Sequence, residues 1–173
     1  EDPNRIEREV LEGWKKDDLL AATLAARAEG EPFVFYEGPP TANGLPGIHH
    51  VLARVLKDAV CRYQTMRGRR VLRKAGWDTH GLPVEIEVEK KLGIEGKEGI
   101  EAHGIGPFNQ ACRESVFEYR EEWEKLSRRI GFLLDYESPY VTCEADYIET
   151  VWFLLSRFSA AGLLERGHKV LPW

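Results

Sequence analysis

Apolar residues follow one helical face most regularly from Ile48 onward, at Ile48, Val51, Leu52, Val55, Leu56, Ala59, Val60 and Tyr63. That 3, 4, 3, 4 spacing predicts an amphipathic helix. Just before it, Phe33–Glu37 is short, aromatic and β-favouring, and Gly38-Pro39-Pro40 cuts it off because prolines cannot continue a ladder. Asn43-Gly44 marks a tight turn between the two. The stretch from Phe33 to Tyr63 is therefore expected to be strand, turn and helix, with the rest of the chain supporting it.

The flanking segments extend the pattern. Ile6, Val10 and Trp14, then Leu19, Leu20 and Leu24, predict one or two amphipathic helices started by Asp2-Pro3, and Gly30-Glu31-Pro32 separates them from the strand. Arg70–Arg73 reads as a second short strand, parallel to the first through a right-handed crossover. LPVEIEVEKKL after Gly81 is helix-like, and the glycine-rich run 93–106 is expected to be a flexible excursion with a short helix around Ile100. Phe108, Cys112, Val116, Tyr119, Trp123, Leu126, Ile130 and Leu133 trace one continuous helical face, with Cys112 in the core. The run from Asp135 to Pro139 breaks it. Tyr147–Leu164 predicts a more uniformly apolar helix, buried on more than one side and punctuated by Gly162 and Gly167, and a strand is expected to start at His168.

Composition adds bounds. With 173 residues, 43% hydrophobic and 31% charged, the chain can bury one ordinary core. A net charge of −5 gives no overall nucleic-acid signature. Cys61, Cys112 and Cys143 are odd in number and widely spaced, so neither a disulfide framework nor a zinc site is encoded, and a reducing cytoplasm is expected. The pattern contains no transmembrane run or signal peptide, and without an initiator Met the sequence is expected to be a piece of a longer protein.

Chemistry is expected where the strands end. A strand feeding a helix through a Gly/Pro turn presents free N–H groups at the carboxyl edge of a sheet, an anion-binding arrangement. Gly47, Ile48, His49 and His50 occupy that turn. At 100° per residue His50 falls on the polar face with Arg54 and Lys57, open to a ligand on the solvent side, while His49 borders the apolar arc; two merely solvated histidines would give the same pattern. Asp78 follows the second strand at the same edge, where it could pair with an ammonium group or cap the next helix. His80 is a loop histidine that could act as acid or base. Arg67, Arg69, Arg70, Arg73 and Lys74 form a basic run, read first as a solvated flank and second as a phosphate or RNA contact.

The blocks EGPPTANGLPGIHH, Lys57-Asp58, RYQTMRG (Arg62–Gly68), GWDTHGLPVE (Gly76–Glu85) and FNQACRESVFEY (Phe108–Tyr119), with EREV and Trp14 ahead of them, resemble the class I aminoacyl-tRNA synthetases. Within that class they are most similar to the isoleucyl enzymes, over nearly the whole chain. The resemblance implies an α/β fold, the N-terminal half of a Rossmann-like parallel-sheet nucleotide-binding domain with a helix-rich periphery. Residues 1–32 would be a helical appendage, 33–167 the first part of the catalytic domain, and 168–173 the start of a strand leading to an editing insertion. It implies activation of isoleucine with ATP and Mg²⁺ and transfer to tRNA(Ile), by a cytoplasmic monomer without a membrane partner. Gly38, Pro39 and Asp78 would bind the amino acid, and Asn43, Gly44, Gly47 and His50 the nucleotide. Gly47, His49 and His50 would be the catalytic signature. No metal ligand is implied within this chain, and zinc belongs to regions outside it.

The signature departs from the family's His-x-Gly-His order, since Gly47 and His49 exchange the first and third positions. On a helical wheel positions 47 and 49 point about 160° apart, so His49 is not expected to reach back to the place of the missing histidine. A lost contact and a new obstruction together predict poor binding of adenylate-mimicking antibiotics. The family's Lys-Met-Ser-Lys-Ser signature is absent, so the segment by itself is expected to be weakly active at best. Another nucleotidyltransferase on the same fold, or an inert folding module, are the competing readings.

Overall fold

The computed structural model describes residues 2–41 and 44–170. Asp2 opens helix α1 (Pro3–Lys16): its carboxylate accepts the Asn4 N–H at 3.0 Å, and Pro3 sits at the first position, where its missing N–H costs nothing. Helix α2 (Leu19–Ala25) follows, so the predicted amphipathic pair is present. Trp14 ties α1 to the molecule by lying under the Arg62 guanidinium, 4.6 Å from its ring centroid.

The segment after α2 is extended but forms no ladder. Isolated parallel bridges join Pro32 to Arg70 and Thr41 to Asp78, with Phe33 N–H donating to Arg70 O at 2.9 Å and Asp78 N–H to Pro40 O at 3.0 Å. Among the described residues pairing here is confined to two bridges where a strand over Phe33–Glu37 was predicted, and Pro39 and Pro40 beyond it have no N–H to extend a ladder. Between these bridges runs helix α3 (Ile48–Met66), as its spacing predicts. The parallel crossover is therefore real, although the second strand is displaced: of the predicted Arg70–Arg73, Arg70 forms an isolated bridge and Arg73 O accepts from Asp135 N–H, while β1 spans Lys74–Trp77.

Helices α4 (Leu82–Leu92), α5 (Gly96–His103), α6 (Ile105–Ser115) and α7 (Arg120–Arg129) lead to β2 (Asp135–Val141), which pairs in parallel with β1. The single long helix predicted over 108–133 is two, separated at Val116–Tyr119 by short bonds such as Glu118 N–H to Ser115 O. No Gly or Pro marks this break, and the apolar phase carries through it: Phe108, Val116 and Trp123 are all buried, with Cys112 half-buried. β2 occupies the run expected to be a mere interruption. Asp135 begins it by donating its N–H to Arg73 O at 2.7 Å, while its carboxylate accepts from Glu137 N–H, Ser138 N–H and Ser138 Oγ. These local bonds let a polar, proline-containing segment pair on one side only, as at a sheet edge.

Ala75, Phe132, Leu134 and Tyr136 form one core cluster, with Phe35 and Ile130 against it, and Trp77 with Trp123 forms a second. Helix α8 (Ala145–Ala160) corrects the expectation of a buried terminal helix: it contains no buried residue, and Trp152, Phe153 and Phe158 face outward. It also ends earlier than Leu164, where Gly162 takes φ +69°. Residues 168–170 are not strand, and the remainder of the strand expected over 168–173 lies outside the described residues.

Helix α3 is turned the other way from its predicted orientation. Arg54 and Cys61 are buried, whereas Leu52 is 63% exposed and Val55, Leu56, Val60 and Tyr63 are also exposed. The polar stripe faces inward because its partners lie there. Arg54 stacks 4.8 Å from the Trp123 centroid and donates Nε–H to Ser127 Oγ at 3.0 Å, Lys57 pairs with the buried Glu37, and Arg62 pairs with Asp58 at 2.5 Å. Arg73 of the basic run is likewise buried, donating to Thr65 Oγ1 at 2.8 Å and pairing with Asp58 at 3.4 Å, so that cation is a structural tie rather than a solvated flank.

Candidate active site

Two groups of residues meet at the carboxyl edge of the parallel strands. The first surrounds Asp78, which the bridge to Thr41 sets beside the end of the Gly38-Pro39-Pro40 turn. Its carboxylate accepts from Thr41 Oγ1 and from His80 N–H, each at 3.4 Å. The N-cap of α4 is Gly81, with no side-chain cap bond, so the reading of Asp78 as that helix's cap does not hold. His80 is exposed. A Cβ added to Gly38 would meet nothing within 4 Å, so the protein's own packing does not require glycine there. Beneath this turn, Glu37 is buried with Oε1 on Lys57, its backbone carbonyl accepting from Tyr140 Oη, and its Oε2 without a hydrogen-bond partner.

The second group is the turn into α3. Gly47 is the N-cap, with φ −99° and ψ 173°, and its N–H donates to His50 Nδ1 at 2.9 Å, half of a capping box. The His50 ring meets Trp123 edge-on at 4.6 Å between centroids, and Trp123 Nε1–H donates to Gly44 O at 2.7 Å. Ser127 completes the support by donating to Trp123 O at 2.7 Å. Trp123, 2% exposed, thus holds both sides of the turn. His50 is half-buried against it, not presented to solvent on an outward polar face as the helical wheel suggests. Burial first, then the neighbouring His49 and Arg54, hold the His50 imidazole below its ordinary value. With Nδ1 accepting from Gly47, the neutral ring carries its proton on Nε2, as a donor.

His49 overturns the wheel argument. A Cβ placed on Gly47 would lie 2.9 Å from His49 Cε1 and 3.1 Å from its Nδ1, so the ring is folded back over residue 47. Gly47 is extended, outside the helical period, and the wheel angle does not apply to it. Asn43 lies outside the described residues.

The structure thus joins Asp78 to the Gly38–Thr41 turn, and Gly44, Gly47, His49 and His50 to one another around Trp123. Sequence reading missed Trp123 and Arg54 as supports, because a buried Trp on a helical face reads as core and an Arg on a polar stripe reads as solvated. Among the described residues no group of three or more His, Cys, Asp or Glu side chains could hold a metal ion. A pocket of about 800 Å³ lies between α1, α2 and residues 131–137, away from both groups.

The family profile of tRNA synthetases class I (I, L, M and V) matches residues 9–173. The isoleucine–tRNA ligase of Clostridium tetani is 53% identical over 169 residues, covering 98% of this chain and 16% of that protein. That of Thermus thermophilus is 52% identical over 174 residues, covering 99% and 17%. The chain therefore spans about one sixth of these relatives' length. A LeuRS–tRNA–LeuAMS ternary complex from Agrobacterium radiobacter K84 has a similar fold, with a TM-score of 0.58 at 23% identity over 91% of this chain and 18% of that one.

Proposed function

The chain belongs to the class I tRNA synthetases (I, L, M and V), and from that membership and the geometry of the carboxyl edge we propose that its full-length protein is an isoleucine–tRNA ligase. An isoleucine carboxylate oxygen attacks the α-phosphorus of ATP, pyrophosphate leaves, and a ribose hydroxyl at the 3′ end of tRNA(Ile) then displaces AMP from the acyl carbon. Such chemistry depends on positioning and charge stabilisation. The observation that carries the reading is the Asp78 carboxylate, half-buried beside the Gly38–Thr41 turn on the same edge as the N-terminus of α3.

In this reading Asp78 holds the α-ammonium group, and Gly38 and Pro39 line the amino-acid pocket where open space faces Gly38. Asn43, Gly44, Gly47 and His50 border the nucleotide, with the N–H groups of the first α3 turn and the Nε2–H of His50 directed to phosphate oxygens. These donors suit ATP. Mg²⁺ would arrive on the triphosphate. Residues 1–32 serve as a helical appendage, 33–167 as the first part of the catalytic domain, and 168–173 lead toward an editing insertion. The protein acts as a cytoplasmic monomer; no helix of the described residues is long and apolar enough to cross a membrane. Pyrophosphate exchange by the full-length protein, run with each amino acid in turn, tests the proposal. Exchange dependent on isoleucine is expected, and exchange indifferent to the amino acid would overturn it.

A further inference from the structure

The extended segment that carries the Gly38–Thr41 turn meets its neighbour at two isolated bridges, so a ladder does not hold the turn in place. Glu37, just ahead of the turn, is 4% exposed and gripped from two sides. Its carboxylate pairs with Lys57 of α3, and its backbone carbonyl accepts from the Tyr140 hydroxyl. Tyr140 stands on β2 opposite Gly76 of β1, and its ring fills the space that a Cβ of Gly76 would occupy. The ring thus crosses β1 to reach Glu37. Tyr147 stacks on it, with centroids 5.9 Å apart and planes within 10°. Burial first, then Glu37, Tyr147 and Asp78 around it, push the Tyr140 phenol up to about 12, so it remains a donor at neutral pH. The same strand ties the residues on both sides of Asp78: Thr142 N–H donates to Trp77 O at 3.1 Å, and Thr142 Oγ1 accepts from Thr79 N–H at 2.9 Å.

We propose that Tyr140 is a positioning residue for the amino acid: its hydroxyl, bonded to Glu37 O across Gly76, sets the place of the Gly38-Pro39 wall relative to Asp78, which Thr142 fixes from the same strand. The inference rests on the ligase reading for its effect on isoleucine and on geometry alone for its effect on the turn. Tyr140 acts through Glu37 and need not touch the substrate. The wall and the ammonium acceptor lie on two segments that pair sparsely with each other, and β2 gives them a common frame. Reaction rates depend steeply on such placement. The nucleotide side has its own tie in Trp123, which meets His50 and donates to Gly44 O, so the effect falls on the amino acid.

The test compares the full-length protein with its Tyr140→Phe variant, which keeps the ring over Gly76 and removes only the hydroxyl. In isoleucine-dependent pyrophosphate exchange the KM for isoleucine should rise about fivefold, the scale of one neutral hydrogen bond, with the KM for ATP little changed. An unchanged KM for isoleucine, or a rise shared equally by ATP, would overturn the proposal. Hydrogen–deuterium exchange supplies the arm that needs no activity: peptides covering residues 33–41 should exchange faster in the variant, while those covering α3 keep their protection. Unchanged exchange over 33–41 would show that the hydroxyl does not hold the turn and would equally overturn it. A wild type without isoleucine-dependent exchange would sink the ligase reading, and the hold of Tyr140 on the turn would then be decided by the deuterium arm.

Discussion

At the scale of single residues, the carboxyl edge depends on a few buried or half-buried groups whose partners can be named. Asp78 is held by Thr41 and the His80 backbone through long, 3.4 Å contacts that leave acceptor capacity for a cation. In the full-length enzyme Asp78→Ala should raise the KM for isoleucine far more than that for ATP, a loss of about 1.5 to 3 kcal/mol for a charge-assisted bond. Equal effects on both constants would leave Asp78 a mere loop tie. Tyr136 offers a test of the core by pH. Burial pushes its phenol up to about 12 from an ordinary value near 10. The folded chain thus keeps a proton that the unfolded chain loses, and its contribution is intact below pH 10 and disappears as pH rises from 10 to about 12. Chemical denaturation across that range should lose stability less steeply in Tyr136→Phe than in wild type. Asp78 was singled out in the sequence because a resemblance named it, while spacing by itself favoured a helix cap. Trp123 was not legible in its supporting role, since nothing local distinguishes an indole that packs from one whose N–H grips a carbonyl 79 residues away.

Helices were more legible than strands. The periodicity of α3 identified its existence and length, but it put the wrong face inward, because a hydrophobic wheel cannot register that Glu37, Asp58, Ser127 and two aromatic rings offer the cationic stripe better partners. β2 was hidden for the opposite reason: DYESPYV has little apolar alternation, and its place is set by backbone bonds to β1 and by local bonds to Asp135. Gly76 marks the most demanding point of that pairing, since a Cβ there would collide with the Tyr140 ring. Gly76→Ala should therefore destabilise the fold by about 1 to 3 kcal/mol, the usual cost of overpacking, and Tyr140→Ala in the same chain should recover part of it. Urea unfolding of the single and double variants checks this. If the alanine costs nothing, the two strands are not held in this register.

For the molecule as a whole, large apolar side chains stand exposed in groups, and such patches mark surfaces that associate. The stripe Leu52, Val55, Leu56 and Val60 on α3, the exposed Val34 and Tyr36 of the extended segment, and Trp152, Phe153 and Phe158 on α8 have no covering element among the described residues. The 173-residue chain studied by itself should then self-associate as its concentration rises, and Phe153→Glu with Phe158→Glu should reduce that association. Light scattering after size exclusion decides, and a strictly monomeric wild type at high concentration would refute it. Trp123, finally, has an optical consequence. Its indole lies 4.6 Å from the His50 ring and is shielded from water, and a protonated imidazole quenches indole emission far more than a neutral one. The fluorescence of the chain should therefore dim on acidification below the ordinary histidine range, and Trp123→Phe should abolish that component, so the turn into α3 carries its own reporter and its protonation can be followed without any added label.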